Sequence, residues 1–311
     1  MPLLGRLSKQ RKRIYMLDAK FYDTLSRLRL LMSHKSSLSM SGSRKSIHKG
    51  ISAEFSDFRE YMPGDDLRRM DWNVYARLDK LYIREYMEEK EAVVSVLIDT
   101  SASMDYGADS KAELARDLAA VVGFLALDNM DRLVLYDMKD MGRGLSLNGG
   151  KNAFAKVLQW LSGLSFSGEV DMLSAAKKMQ YRGPGVAVVI SDFLHQGMLD
   201  ENGAESAGSY EKLLQYFHYC RQRPVILHTL AAEELHVTLE GALNLIDMET
   251  DLRIRLTMDE RTISSYEKEL SRLTERMKKG CLSGRGAYVL CDAGKDRKQL
   301  VFQDLKVIYD I

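Results

Sequence analysis

Short apolar runs alternate with amphipathic segments along most of this chain. Three runs, at residues 93–98, 186–190 and 225–230, are rich in β-branched residues, which is typical of strands buried on both faces of a parallel sheet. Between them, residues 110–129 and 210–220 place apolar side chains at helical spacing. The alternation predicts an α/β fold with a doubly wound, mostly parallel sheet flanked by helices.

Further elements follow from the same periodicities. Helices are predicted over residues 18–33, 154–161, 173–179, about 259–279 (stopped by Gly280) and near 300–307. Strands are predicted over residues 81–86, 133–136, 145–147 and 287–291, and a hairpin from residues 243–248 and 252–256. His228, inside the third apolar run, is predicted to be a core residue.

Composition and hydrophobic periodicity divide the chain into three parts. Residues 1–90 combine a helix, a serine-rich polar linker at 36–50 and a segment of mixed polarity. Residues 91–235 carry the alternating strands and helices. Residues 236–311 are expected to extend that domain with the hairpin, the long helix and a last strand as an α+β addition.

Residues 54–77 interleave acids, arginines and aromatics with neither a helical nor a strand period. Pro63-Gly64-Asp65 marks a tight turn, and the arginines have carboxylates nearby for bidentate pairing. We expect this segment to dock as a structural clasp that holds the N-terminal part to the main sheet.

Composition narrows the function classes. The 311 residues are 45% hydrophobic with a formal net charge of +1, so no global field indicates nucleic acid or a membrane surface. The three cysteines are far apart with no CxxC pair, which favours neither a disulfide framework nor a zinc site. No signal peptide or membrane span is evident, so a cytoplasmic protein is expected.

The first apolar run stops at Asp99-Thr100-Ser101-Ala102-Ser103. In open α/β sheets ligands bind beyond the carboxyl ends of the strands, where this loop is expected to lie. A carboxylate and two hydroxyls suit Mg²⁺, Mn²⁺ or Ca²⁺, although the same residues are typical of a turn that caps the next helix. The second run also ends in an acid, Asp192.

Two motifs resemble known families. Asp99-Thr100-Ser101-Ala102-Ser103 resembles the DxSxS motif of the metal-ion-dependent adhesion site in von Willebrand factor A domains, and Asp192 matches an aspartate those domains place beside the metal. The stretch from Glu54-Phe55 through Pro63-Gly64-Asp65-Asp66 to Asp71-Trp72 and Ala76-Arg77 is similar to the segment that DUF58 proteins carry before a von Willebrand A-like domain.

The resemblance implies a metal site formed by Asp99, Ser101, Ser103 and Asp192, with Mg²⁺ (or Mn²⁺ or Ca²⁺) as cofactor. Family members usually add a threonine from a second loop, where this chain has Val170. Water, or Ser167, Glu169 or Asp171, would have to replace that oxygen, and weaker metal binding is expected.

The implied function is a non-enzymatic adaptor with no catalytic residues. It would bind an acidic side chain of a protein partner through the metal, beside a MoxR-type AAA+ ATPase in complex assembly or maturation. No nucleic acid and no integral membrane segment are implied.

Two alternatives stay open. An acid at a strand tip is also typical of a Mg²⁺-dependent phosphatase-like hydrolase, although that chemistry generally uses a second carboxylate where Ser101 stands. The basic clusters at residues 6–13 and 44–49 indicate a binder of anionic surfaces, although no aromatics are interleaved with them.

Overall fold

The structure is a computed structural model that describes residues 19–25, 29–30, 53–88, 92–106, 110–181, 183–194, 209–237, 241–246 and 253–310. The chain forms two compact units, one of residues 1–33 with 92–311 and one of residues 34–91. The predicted linker at residues 36–50 and both basic clusters lie outside the described residues.

The described strands are β1 (Arg29–Leu30), β2 (Ala53–Glu60), β3 (Tyr82–Glu88), β4 (Val93–Ile98), β5 (Arg132–Asp137), β6 (Leu145–Leu147), β7 (Gly185–Ser191), β8 (Gln222–Leu230), β9 (Gly241–Ile246), β10 (Arg253–Met258), β11 (Ala287–Asp292) and β12 (Tyr309–Asp310). The described α-helices are α1 (Ala19–Leu25), α2 (Trp72–Leu78), α3 (Lys111–Asp128), α4 (Phe154–Ser162), α5 (Met172–Lys178), α6 (Ser209–Tyr219), α7 (Ala232–Leu235), α8 (Glu260–Ser283) and α9 (Arg297–Gln303). Short 3₁₀ turns include Leu67–Arg69 and Ala102–Asp105.

The larger unit is built on a six-stranded sheet in the order β11-β8-β7-β4-β5-β6. All neighbouring strands are parallel except β5 and β6, which pair antiparallel. Helices flank the sheet, so the predicted α/β fold with a mostly parallel sheet is confirmed. The predicted hairpin is also present as the antiparallel pair β9–β10, and its turn at residues 249–251 lies outside the described residues.

Both faces of the central strands are buried. Val96 and Ile98 belong to an apolar cluster with α3 and α4, whereas Leu97 belongs to a second cluster with α5 and α6. Successive side chains of a strand point to opposite faces, so one run supplies both cores. This explains why the strand composition shows no polar period.

The predicted helix over residues 18–33 is wrong in its second half. The helix α1 ends at Leu25, and Arg29–Leu30 forms β1, which pairs antiparallel with β12 near the chain's other end. Apolar spacing fits a helix here, but pairing with a strand that is distant in sequence overrides local preference.

Gly280 does not stop the long helix, because α8 continues to Ser283 and Gly284 is its C-cap. A Cβ at position 280 would lie 3.0 Å from Leu214 Cδ1 and 3.4 Å from the Tyr210 ring. The glycine therefore permits close packing of α8 on α6.

The smaller unit contains regular structure that the sequence pattern did not indicate. The strands β2 and β3 pair antiparallel with a register shift between Phe55 and Asp57, and α2 lies between them in the chain. A bulge places one extra residue in a strand and breaks the period-2 alternation, which hides the strand from a pattern search. The strand predicted at residues 81–86 is present as β3.

The predicted turn and pairing of charges are present in this unit. Asp65 N–H donates to Met62 O at 3.0 Å, and Gly64 has a φ of 102°, as a type II turn with proline before glycine requires. Arg59 Nη2 donates to both carboxylate oxygens of Asp65 at 2.9 Å.

Asp71 joins α2 to β3. Its Oδ1 accepts from the N–H groups of Asn73 and Val74, and its Oδ2 accepts from Arg84 Nε at 2.7 Å. The hydrogen bond from Arg84 lowers the pKa of Asp71. One carboxylate thus caps a helix and closes an ion pair across the unit.

We expect Asp71→Ala to open this unit, because it removes the cap and the ion pair together. Limited trypsin digestion mapped by mass spectrometry should show severalfold faster cleavage after Arg68 and Arg77. Asp71→Asn, which keeps a capping oxygen but loses the charge, should be intermediate. Equal cleavage of wild type and Asp71→Ala would contradict this role.

Candidate functional site

Three neighbouring strands carry buried carboxylates at the carboxyl edge of the sheet. Asp99 follows β4, Asp137 ends β5 and Asp192 follows β7, and these strands are adjacent in the order β7-β4-β5. All three acids are at most 4% exposed. The sequence pattern led us to predict Asp99 and Asp192 at this edge but not Asp137. Asp137 also comes directly after an apolar run, so the same pattern could have identified it.

Asp99 is held by donors from two loops. Its Oδ1 accepts from Ser101 N–H at 2.9 Å, and its Oδ2 accepts from the Ser191 hydroxyl at 2.6 Å. The Asp99 loop therefore does form a turn of the Asx kind. It does not cap α3, however, because Ser110 is the N-cap of that helix and accepts from Glu113 N–H.

Burial raises the pKa of Asp99 and the negative charge of Asp192 adds to that effect, while hydrogen bonds from Ser191 and Ser101 oppose it. A buried carboxylate beside another carboxylate resists ionisation unless a cation is close. Binding of a proton or of a cation at the Asp99 carboxylate is therefore favoured.

Ser101 and Ser103 lie beside the two carboxylates. Their hydroxyl oxygens are 3.0 Å apart. The Ser101 hydroxyl acts to lower the pKa of Asp99, and the Ser103 hydroxyl acts to lower the pKa of Asp192. Oxygens bound side by side to Mg²⁺ lie about 3 Å apart, because each is ~2.0–2.1 Å from the ion in an octahedron. The spacing of the two hydroxyls fits that geometry as well as it fits a hydrogen bond.

The loop after α4 lies against the Asp99 loop. Ser167 N–H donates to Thr100 O and Ala102 N–H donates to Gly168 O, both at 2.8 Å. Gly168 adopts a φ of 67°, a conformation that favours glycine. The pairing brings the loop to the position where a third metal-binding oxygen was expected.

That third oxygen does not come from Val170, which is buried in the second apolar cluster beside Met172. Asp171 is the N-cap of α5 and accepts from Ser174 N–H and its hydroxyl. The Ser167 hydroxyl and carbonyl both accept from Lys139 Nζ at 2.7 Å. Asp171 and Ser167, two of the groups that could replace the missing oxygen, therefore already accept hydrogen bonds within the chain.

Asp137 holds the Asp99 loop from the other side. It accepts from the Thr100 hydroxyl and from Lys139 N–H at 3.1 Å. Thr100 is fully buried, so its hydroxyl needs this partner. Asp137 is therefore a positioning residue for the loop.

Asp192 is paired with a buried lysine that the sequence did not reveal. Lys111 Nζ lies 2.7 Å from Asp192 Oδ2 and 2.6 Å from Glu234 Oε1, and Lys111 is 1% exposed. Burial opposes ionisation of Asp192, but the charge and hydrogen bond of Lys111 outweigh it, which lowers the pKa of Asp192. Burial likewise opposes a charged Lys111, yet the two carboxylates raise the pKa of its ammonium.

His228 supports the backbone of Asp192. Its Nε2 lies 2.7 Å from Asp192 O and its Nδ1 lies 2.7 Å from the Tyr288 hydroxyl. A carbonyl only accepts, so Nε2 carries the proton and the Tyr288 hydroxyl donates to Nδ1. Burial lowers the pKa of His228 to about 4, so the ring is neutral near pH 7. The predicted core position is confirmed.

A metal fits this site only through mixed ligands. Among the described residues, no group of three or more His, Cys, Asp or Glu side chains is arranged to hold an ion. The oxygens at hand are the Ser101 and Ser103 hydroxyls with the carboxylates of Asp99 and Asp192 behind them. Such a hard-oxygen set suits Mg²⁺, with water filling the remaining positions.

The sheet and its edge define the class: an α/β protein with a mostly parallel sheet and a carboxylate-and-hydroxyl site beyond the strand ends. The chain belongs to the family described as "Protein of unknown function DUF58", whose model matches residues 57–276. The resemblance to DUF58 stated from the sequence is thereby confirmed.

The chain is similar to proteins named "Uncharacterized protein" from Mycobacterium bovis and from two strains of Mycobacterium tuberculosis. Each is 30% identical over 187 residues, which cover 57% of this chain and 58% of the relative. The chain thus matches somewhat more than half the length of these curated relatives.

Among solved structures, the chain is similar to an aerotolerance-related membrane protein from Bacteroides fragilis, with a TM-score of 0.39 and 15% identity over 70% of this chain and 96% of that one. A second is the conserved hypothetical protein BatB from Bacteroides thetaiotaomicron, with a TM-score of 0.36 and 14% identity over 70% of this chain and 98% of that one. Within the described part of the present chain, none of the helices combines the length and apolarity needed to cross a bilayer.

We expect the neutral His228 to make stability pH-dependent. Because its pKa is lowered from 6.5 to about 4, the unfolded chain binds the proton first, and stability falls as the pH drops through that interval. The free energy of unfolding should fall by up to about 3 kcal/mol more in wild type than in His228→Gln, measured by urea unfolding across that range.

Gln is the informative replacement because its amide still donates to Asp192 O without titrating. His218→Gln, at an exposed position, is the matched control and should keep the wild-type pH profile. Parallel profiles for wild type and His228→Gln would refute the assignment.

Proposed function

We propose that this protein is a non-enzymatic interaction module that binds an acidic side chain of a protein partner at the carboxyl edge of its sheet. The observation that carries the proposal is the pair of hydroxyls, Ser101 and Ser103, whose oxygens lie 3.0 Å apart beside the buried carboxylates of Asp99 and Asp192.

The charge balance of the site supports a bound cation. Asp192 and Glu234 share the buried ammonium of Lys111, whereas Asp99 lies beside Asp192 and forms no ion pair with that ammonium. Uncompensated negative charge in a buried site is costly, so an added divalent ion would stabilise it. Ca²⁺ and Mn²⁺ are also hard-oxygen ions and would suit the same oxygens.

In this proposal Ser101 and Ser103 hold the ion, with Asp99 and Asp192 orienting the hydroxyls. When bound, Mg²⁺ would offer an exchangeable coordination position to a partner's carboxylate. Val170 supplies no side-chain oxygen, so water takes that position and the affinity for the ion is modest. The chain's own residues keep the hydroxyls aligned through the bonds at Asp99 and Asp137.

We also propose the biological setting that the resemblance to DUF58 and von Willebrand A-like proteins implies. It is that of an adaptor that works in the cytoplasm beside a MoxR-type AAA+ ATPase, in the assembly or maturation of other complexes. The 54–77 segment would serve as the structural clasp.

The geometry gives less support to a phosphatase. Asp99 is 1% exposed and both of its oxygens accept hydrogen bonds, from Ser101 N–H and the Ser191 hydroxyl, so its carboxylate is not open to a phosphate substrate. Binding of anionic surfaces by residues 6–13 and 44–49 stays a separate prediction.

We expect Ser101→Ala/Ser103→Ala to abolish metal-dependent partner capture. Affinity purification of the tagged full chain from a lysate, with Mg²⁺ or with a chelator, should recover the partner only with Mg²⁺.

Mg²⁺ affinity measured by calorimetry should fall roughly ten- to hundredfold in Asp99→Asn, which keeps the shape but loses the charge.

Ser264→Ala/Ser265→Ala, at two exposed positions of α8, is the matched control. Capture that is unaffected both by the chelator and by Ser101→Ala/Ser103→Ala would refute the proposal.

A phosphatase assay distinguishes the adaptor from the hydrolase. If the protein is an adaptor, wild type should hydrolyse an aryl phosphate with Mg²⁺ no faster than Asp99→Asn does. Turnover that Asp99→Asn abolishes would replace the adaptor with a hydrolase.

A further inference from the structure

A lysine begins the long helix that follows the Asp99 loop. Lys111 is the first residue of α3, where the helix dipole disfavours a cation, and it is 1% exposed. Burial of a charged lysine is also among the most costly placements in a protein. Lys111 is therefore placed unfavourably both for the helix dipole and for burial of its charge. Such a placement is typical of a residue with a role in a site.

The partners of Lys111 come from two other parts of the sheet edge. Asp192 follows β7 and Glu234 lies in α7, which are 81 and 123 residues away in the chain. Lys111 Nζ donates to both at hydrogen-bonding distance, so its ammonium sits between their carboxylates. Three segments that are distant in the chain therefore meet at a single charge.

We propose that Lys111 is a resident cation of the site: its ammonium neutralises Asp192 in place of a metal ion and holds that carboxylate behind the Ser103 hydroxyl. Lys111 is thus a positioning residue that acts through Asp192. A divalent ion, when bound, then depends on the Asp99 side and on the two hydroxyls.

Glu234 fixes the ammonium from the opposite side. Its second oxygen, Oε2, accepts from Ala231 N–H at 2.8 Å, and its backbone carbonyl accepts from the Tyr266 hydroxyl of α8 at 2.8 Å. Glu234 is therefore held by both the strand end after β8 and the long helix. The ammonium cannot follow a movement of Asp192 without breaking these contacts.

The inference rests on the proposed function only for the statement that the hydroxyls bind an ion. The neutralisation of Asp192 by Lys111 stands whether or not the wild-type protein binds Mg²⁺. An experiment on stability can therefore separate the two.

The test is Lys111→Met, which keeps the length of the side chain and removes the charge. Asp192 then becomes a buried carboxylate without its cation, and the thermal midpoint measured by circular dichroism should fall by roughly 10 °C. MgCl₂ or MnCl₂ at millimolar concentration should recover at least half of this loss, whereas NaCl at equal ionic strength should not. Wild type should gain less from either divalent ion than the variant does.

Two further variants show that the effect passes through Asp192. Lys111→Met/Asp192→Asn removes the carboxylate as well, so it should be more stable than Lys111→Met and should lose the added response to divalent ions. Lys111→Arg, which keeps the charge, should retain most of the wild-type midpoint. Lys177→Met, at an exposed position of α5, is the control for the substitution itself.

The outcomes separate the possibilities. If Lys111→Met folds only with a divalent ion or only together with Asp192→Asn, the proposal is supported. The proposal is refuted if divalent ions stabilise Lys111→Met no more than wild type, or if they stabilise Lys111→Met/Asp192→Asn as much as Lys111→Met. It is also refuted if both of these variants stay unfolded in every condition. A wild type that binds no Mg²⁺ would count against the proposed function and leave the role of Lys111 intact.

Discussion

Burial of negative charge at the edge of the sheet is the constraint on which this site depends. Three adjacent strands end in buried carboxylates, and each needs its own compensation. Asp99 receives an N–H and a hydroxyl, Asp137 receives the Thr100 hydroxyl and an N–H, and Asp192 receives the Lys111 ammonium. Because several of these donors come from segments that are distant in the chain, satisfying the acids also determines how the segments are arranged at the sheet edge.

In the proposed function, the hydroxyls of Ser101 and Ser103 are the groups that would hold an ion. The carboxylates behind them accept hydrogen bonds from the chain's own donors, and Val170 places a buried apolar side chain in the loop after α4. We therefore propose that the site binds an ion and does not supply a nucleophile. The proposed role as an interaction module follows from that distinction.

The smaller unit uses the same device on a smaller scale. Asp71 satisfies two helix N–H groups and pairs with Arg84, while the Asp65 carboxylate pairs with Arg59 and closes a turn. Among the side chains of this unit whose burial the structure describes, Met70 and Ile83 are the buried apolar ones. Polar contacts therefore contribute much of the order in that unit.

The sequence by itself determined the strands of the central sheet and the positions of Asp99 and Asp192, because a doubly buried strand needs a continuous apolar run and its first acid marks the strand end. Only the tertiary structure decided that Lys111 and Glu234 belong to the site, since pairs 81 and 123 residues apart leave no local pattern. The same holds for β1, which forms by pairing with β12, and for Gly280, which allows α8 to pack closely on α6. Local spacing specifies which residues are buried; the fold specifies which charges meet.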